Sequence, residues 1–353
     1  MKVSIGTKNK DGPWGGGNLF AKNLKNYLLS NGHEVTFDLD DDELDIILIT
    51  EPRKTSESSA YSHEDVRKYL RYVNPSSLVV HRINECDERK NTNHVNKYLK
   101  HANKIADGTV FVSSWIKNLY IDQNINSRNI NVIMAGSDEN IFNREGHKQW
   151  DKTSKLKIVT HHWGANWNKG FDIYLKLDDL LMEEKWNRYF EFTYIGNLPK
   201  NFNFRNVNVI EPTSGLDLAK KIKQNHVYIT GSINEPSGNH HIEGAQCGLP
   251  ILYLNSGGTP EYCKDFGIEI SLKNLDSKLL EIKNNYEKYQ ENMINYPFTS
   301  DKTNNEYLRL FEKLIHDKEK IFNDRDDKNY YGTLLEKNFY LLNRKRRIGN
   351  KNK

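Results

Sequence analysis

Short apolar runs alternate with amphipathic stretches along most of this chain. The runs Val3–Ile5, Glu34–Phe37, Asp45–Ile49, Leu78–His81, Gly108–Val112 and Asn131–Met134 read as one series of strands. A second series comprises Leu156–Thr160, Phe190–Ile195, Val207–Ile210, His226–Thr230 and Pro250–Tyr253. Helical stretches fall between many of them, as at Leu19–Leu29, Asn93–Ala106 and Asp217–Lys223. Strands that alternate with helices predict parallel sheets wrapped on both faces. The class is α/β.

Between the two series, NREGHKQWDKTSK (Asn143 to Lys155) is polar and has no apolar period. It reads as a linker between two Rossmann-like, doubly wound domains. The expected division is 1–148, 149–300, and a helical extension with a basic tail over 301–353. In that extension Leu308, Phe311, Leu314 and Ile315 share one helical face, expected to pack on the protein and not on a membrane. Ligands of open α/β sheets bind beyond the carboxyl ends of the strands, so two facing domains predict a central cleft.

Composition narrows the partners. The 353 residues are 37% hydrophobic and 28% charged, with 51 basic against 47 acidic side chains. That near balance argues against a nucleic-acid-binding protein. One basic run stands out, RKRRIGNKNK (Arg344 to Lys353); a solvated disordered tail is the expectation, with peripheral contact to an anionic membrane surface as its functional alternative. The three cysteines, Cys86, Cys247 and Cys263, share no C-x-x-C spacing, which predicts neither a disulfide framework nor zinc and fits a reducing compartment. MKVSIG reads as a strand and not as a signal peptide, and no run reaches about 18 apolar residues, so a cytoplasmic location is expected.

The candidate chemistry concentrates in INEPSGNHHIEGAQCGLP (Ile233 to Pro250). A loop at the end of the His226–Thr230 strand leads into a helix expected to begin near Ser237. Its first turn exposes the amides of Gly238, Asn239 and His240, a site for phosphate through unpaired donors and the helix dipole. Gly238 permits close approach, and Gly248 with Pro250 stops the helix. Glu235 and Glu243 stand eight positions apart, a span of about 12 Å in one helix. Glycosidase carboxylates need roughly 5–9.5 Å, so these two are a poor acid–base pair. Each suits a different part of one long ligand, and a nucleotide diphosphate sugar has that anatomy. Carboxylates accept hydrogen bonds from vicinal hydroxyls at its sugar and ribose ends.

The E-x7-E pattern closed by GLP and followed by GGTPE (Gly257 to Glu261) resembles the retaining GT-B glycosyltransferases of family 4. GPWGGGNLF (Gly12 to Phe20) with NGHEV (Asn31 to Val35) is similar to that family's glycine-rich first loop and second strand. ADGTVFVSSW (Ala106 to Trp115) and VIMAGSDENIF (Val132 to Phe142) extend the likeness over most of the chain, with Ala135-Gly136 where Asn-Gly is usual. The resemblance implies that Glu235 lies against the donor sugar and that Ser237, Gly238, Asn239 and His240 surround the pyrophosphate. It implies further that Glu243 accepts from the ribose, that Lys169 in NWNKGF neutralises the leaving diphosphate, and that Gly16 and Gly17 approach from the other domain. The base is expected near Pro212, held by backbone groups. The family's arginine five residues before the lysine is Gly164 here, and His162 is the expected substitute donor.

His81, at the end of SSLVVH, has two readings: a polar group near the reacting carbon, or a strand-end histidine bonded to backbone. Arg82 is placed to serve the phosphates or to pair with Glu85, Asp87 or Glu88. His240 and His241 diverge by roughly 100° on a helix and make a poor metal pair. The D-x-D within FDLDDDELD (Phe37 to Asp45) reads as a solvated acidic turn, and the resemblance implies metal independence, with no cofactor expected.

The implied reaction moves a sugar from a nucleotide diphosphate donor, UDP or GDP linked, to a hydroxyl of a glycan or lipid-linked acceptor, with retention. The alternatives are an epimerase or hydrolase of the same architecture, or a binding module without chemistry. A dehydrogenase is disfavoured, because GGGN lacks the G-x-G-x-x-G spacing.

Overall fold

Both series of apolar runs become parallel sheets in the structure, a computed structural model that describes residues 1–9, 16–325 and 334–351. Gly12 to Gly15 of the glycine-rich loop and the terminal Asn352 and Lys353 lie outside the described residues. The first sheet holds β1 (Lys2–Ile5), β2 (Glu34–Thr36), β3 (Ile46–Ile49), β4 (Leu78–Ile83), β5 (Gly108–Phe111) and β6 (Ile130–Val132), in the order β2-β1-β3-β4-β5-β6. The second holds β7 (Leu156–His162), β8 (Phe190–Gly196), β9 (Asn208–Ile210), β10 (Val227–Thr230), β11 (Ile251–Leu254) and β12 (Gly267–Ile270), in the order β12-β11-β10-β7-β8-β9. The strand order reverses beside β1 in one sheet and beside β7 in the other. Those two switch points open the crevices in which such sheets bind ligands.

Each sheet is apolar on both faces, which is why its strands read as continuous runs and not as alternations. Val3, Ile5, Ile46, Leu48, Leu78 and Val80 pack against Ala21, Leu24 and Leu28 of the Gly16–Ser30 helix. Ile47, Ile49 and Val79 face Val66 and Tyr69 of the His63–Tyr72 helix on the other side. In the second sheet, Ile158, Phe192 and Ile229 pack with Phe171 and Leu177, and Val159, Tyr228 and Ile251 pack with Ile242 and Ala245. The edge strand β12 has no counterpart among the expected strands; its four residues GIEI alternate in burial and give only a weak signal.

After the second sheet the chain returns to the first. The Ser300–His316 helix buries Tyr307, Leu308, Phe311 and Leu314 in the core of the first sheet, with Ile315 partly buried beside them. Where the chain crosses back, Ser300 N–H donates to Ser137 O at 2.7 Å, and a Cβ on Gly136 would stand 2.0 Å from Thr299 O. The crossing is therefore a close backbone approach that only glycine allows.

The basic run departs from its expected solvated disorder. It is helical as far as Lys351, within the Leu334–Lys351 helix. Arg344 pairs with Asp42, and Arg347 with Asp40, on the acidic turn of the first sheet. Lys2 reaches the same turn at Asp41, 3.1 Å away. The D-x-D stretch thus meets this protein's own cations, an ordered arrangement and not a purely solvated turn. The outward side of the C-terminal helix leaves Leu335, Phe339 and Leu342 exposed. Among the described residues no helix is long and apolar enough to cross a membrane.

Candidate active site

The carboxyl ends of the two sheets enclose a cleft of about 820 Å³. From the second half come His161 and His162 at the end of β7, Gly196 at the end of β8, Pro212 after β9, and Glu235 after β10. The loop after β10 turns through Asn234, which adopts φ +51°, and enters the Asn239–Gln246 helix with Gly238 as its N-cap. The first-turn amides have no carbonyl a turn earlier within the helix, so their donors face the cleft lined by Ser237, Gly238, Asn239 and His240. The start of the Gly16–Ser30 helix stands opposite. A Cβ on Gly16 would lie 2.6 Å from the Asn239 side chain, while Gly17 has open space around it. Two helix starts therefore converge on one cavity, an arrangement that favours an anion between them.

Glu235 sits at the cleft floor with its side chain 4% exposed. Lys169 Nζ lies 2.8 Å from one carboxylate oxygen and Arg89 Nε 2.9 Å from the other. Burial pushes the Glu235 carboxyl up, but the charges of Arg89 and Lys169 outweigh it and hold the group down at about 2. Burial lowers Lys169 below the ordinary lysine range, with Glu235 opposing the shift and Arg89 adding to it. The backbone of Glu235 is fixed by the GGTPE loop: Gly258 N–H donates to Glu235 O at 2.8 Å, and Gly257, at φ +65°, leaves no room for a side chain.

That loop also joins the halves. The Glu261 carboxylate accepts from Ser114 N–H at 2.8 Å and Trp115 N–H at 2.7 Å, capping the Ser114–Asp122 helix of the first half. The buried Tyr262 hydroxyl donates to Val112 O at 2.6 Å and accepts from Ala135 N–H at 3.0 Å.

Glu243, one helical turn inside the cleft, is held differently. One oxygen accepts from His161 Nε2 at 2.8 Å, and His161 Nδ1 lies 3.0 Å from the Tyr228 hydroxyl. Beside it the His162 and His240 rings pack at a tilt of 54°, with centroids 4.4 Å apart. Tyr174 bonds His162 Nε2 at 2.7 Å, and Thr230 meets His240 Nε2 at 2.8 Å. Burial first, then neighbouring charge and histidines, pulls both rings well below the usual histidine range. His162 Nε2 is thus occupied by Tyr174, and burial disfavours a positive charge on the ring.

Of the residues singled out in the sequence, Gly16, Gly17, His162, Lys169, Pro212, Glu235, Ser237, Gly238, Asn239, His240 and Glu243 all line this one cleft. His81 does not. It is fully buried and bonds Asn103 Oδ1 at 2.9 Å through Nδ1. Strand β4 runs on to Ile83, so the alternation of faces carries Arg82 and the following Asn84 to the cleft and turns His81 away. Arg82 stacks on the Phe20 ring, with its guanidinium carbon 4.3 Å from the ring centre. Among the residues missed by sequence reasoning is Arg89. Its short helix, Asp87–Lys90, has no periodicity to announce it, and its partner Glu235 is remote in the chain. His63, Glu64 and His101 form a grouping of metal-ligating types outside the cleft, where Glu64 already pairs with Arg67 at 2.9 Å.

Neither a protein-family model nor a curated protein sequence matches this chain. Solved structures do. HepE of Anabaena, in complex with UDP and glucose, superposes with a TM-score of 0.63 at 12% identity, over 89% of this chain and 99% of that one. A glycosyltransferase from Rickettsia africae gives 0.64 at 15% identity, over 89% and 98%. Sucrose-phosphate synthase from Thermosynechococcus elongatus gives 0.61 at 12%, over 90% and 99%. The chain has the GT-B fold. At these identities the likeness is one of architecture, carried in this chain by two parallel six-stranded sheets.

Proposed function

We propose that this protein is a glycosyltransferase that moves a sugar from a nucleotide diphosphate donor to an acceptor hydroxyl, with retained anomeric configuration. One observation carries the reading: Lys169 with Glu235, the helix start at Gly238, and Glu243 succeed one another along a single wall of the cleft. A ligand fitting that wall is anionic in its middle and rich in hydroxyls at both ends. A nucleotide diphosphate sugar meets this description. HepE, which shares the fold, was solved with UDP and glucose, and that supports a donor of the same kind here.

In the proposed reaction the bond between the anomeric carbon and the diphosphate oxygen breaks, and the carbon becomes oxocarbenium-like. Lys169 and the helix-start amides stabilise the charge gathering on the leaving diphosphate. Glu235 accepts hydrogen bonds from the sugar hydroxyls, and the free oxygen of Glu243 accepts from the ribose. The leaving phosphate oxygen takes the acceptor's proton as the new bond forms on the same face, so no enzymic nucleophile is required. With Lys169 and the helix start meeting the charge, the reading calls for no metal and no cofactor. The acceptor is a glycan or lipid-linked alcohol. Leu335, Phe339 and Leu342, with Lys345 and Arg346 nearby on the C-terminal helix, suit peripheral contact with an anionic bilayer.

Thermal-shift measurements with UDP, GDP, ADP and their sugars, followed by transfer assays, test the reading. A rise in melting temperature with one donor series and transfer with retention are expected. Donor hydrolysis or epimerisation without acceptor would favour the alternative chemistry, and binding without turnover would mark a non-catalytic module.

A further inference from the structure

We propose that Arg89, carried by the first half of the molecule, is the second diphosphate-binding cation of the cleft. This deepens the glycosyltransferase reading and rests on it. Arg89 lies on the Asp87–Lys90 helix that follows β4, yet its guanidinium enters the other half's wall and meets Glu235 at 2.9 Å. Its placement is built from both sides. Asn168 Nδ2 donates to Arg89 O at 3.2 Å, and Asn234 Nδ2 donates to Glu88 O at 3.1 Å. These two asparagines are the chain neighbours of Lys169 and Glu235. The carbonyls left open by a one-turn helix are thus taken up by the segments that carry the lysine and the carboxylate.

Charge and shape point the same way. Arg89, Lys90 and Lys169 cluster with Glu85 and Glu235, leaving one positive charge in excess beside the helix start. An anionic diphosphate is attracted to that excess. A guanidinium fork matches two phosphate oxygens at once, which an ammonium cannot do. Arg82 is engaged on Phe20, whereas Arg89 and Lys169 hold the two oxygens of the same Glu235 carboxylate, which places the guanidinium beside the ammonium. When the donor enters, Glu235 exchanges its cations for sugar hydroxyls, and Arg89 turns from the carboxylate to the phosphates. The diphosphate then bridges both halves, whereas the nucleoside is held by the second half alone.

Gly164 provides the control. A Cβ there meets only Lys169 Cε, at 4.0 Å, so an arginine at 164 can be accommodated beside the lysine. Calorimetry with UDP and UMP, and with GDP and GMP, is to be run on the wild type, Arg89→Ala, Arg89→Lys and Arg89→Ala/Gly164→Arg. Loss of charge-assisted hydrogen bonds predicts diphosphate binding about 10- to 100-fold weaker in Arg89→Ala, with monophosphate binding within about twofold. Arg89→Lys should recover part of the loss, and Gly164→Arg most of it, which a merely structural role would not allow. Unchanged diphosphate affinity in Arg89→Ala, or equal loss for mono- and diphosphate without rescue, overturns the assignment. Failure of every nucleotide to bind the wild type would instead remove the glycosyltransferase reading, and the assignment with it.

Discussion

The two ends of the candidate donor wall carry the same side chain in opposite surroundings. Glu235 lies between two cations, each within 2.9 Å, and its carboxyl is held down at about 2. Glu243 leans on His161, which leans on Tyr228, a chain of hydrogen bonds with no lysine or arginine in it. The difference shows how a single segment can divide its labour. The Glu235 end is electrostatic, poised to trade cations with a charged ligand, while the Glu243 end is a rigid polar rest suited to neutral hydroxyls. The free amides between them belong to neither and are the donors proposed for the phosphates.

The comparison breaks most visibly at Lys169. Lys169→Ala is expected to reduce turnover about 10²- to 10³-fold, the scale for losing one stabiliser of developing charge. Steady-state kinetics with saturating donor measure this, and near-normal turnover would remove the lysine from the chemistry. The next contrast is between the glutamates. Glu243→Ala should weaken nucleotide binding about tenfold, while Glu235→Ala should act on turnover more than on nucleotide affinity. Calorimetry beside kinetics separates the two, and identical profiles would dissolve the distinction.

Acidification sharpens the contrast further. His241 is lowered to about 3, and His81 and His226 to about 4, in each case by burial first. Unfolded histidines titrate near 6.5, so the unfolded state binds these protons first and stability falls as pH drops below about 6.5. Glu235 behaves as a lowered carboxylate: its contribution is complete above its unfolded value of 4.5 and is lost as pH falls towards about 2. Melting temperatures across this range should therefore decline in two stages, histidine-driven and then carboxylate-driven. A flat profile from pH 6.5 to 4.5 would contradict the buried neutral histidines. The smallest expected effect concerns the C-terminal helix. Replacing Leu335, Phe339 and Leu342 by serine should abolish sedimentation with vesicles containing phosphatidylserine and leave turnover on soluble acceptors unchanged. Equal sedimentation of the variant would rule out that surface.

Much of the second half was legible because its chemistry is contiguous. Strand, loop, helix start and stop follow one another between Val227 and Pro250, and the spacing of Glu235 and Glu243 can be read without knowing the fold. The first half resisted. A strand two residues longer than expected places His81 inside β4, bonded to the Asn103 side chain, with Arg82 and Asn84 on the cleft side. Arg89 sits in a helix of four residues whose meaning comes from Asn168, Asn234 and Glu235, all on the far side of the linker. Long-range pairing of this sort leaves no local period. The basic tail was misread for the same reason, because the aspartates that order Arg344 and Arg347 lie at the other end of the chain.

The most direct measurement is a crystal structure with the nucleotide diphosphate sugar that most raises the melting temperature. The diphosphate should lie within hydrogen-bond distance of the amides at Gly238 to His240, with the sugar against Glu235 and the ribose against Glu243. A donor bound away from this helix start, or one lying along it in the reverse sense with ribose at Glu235, would contradict the account.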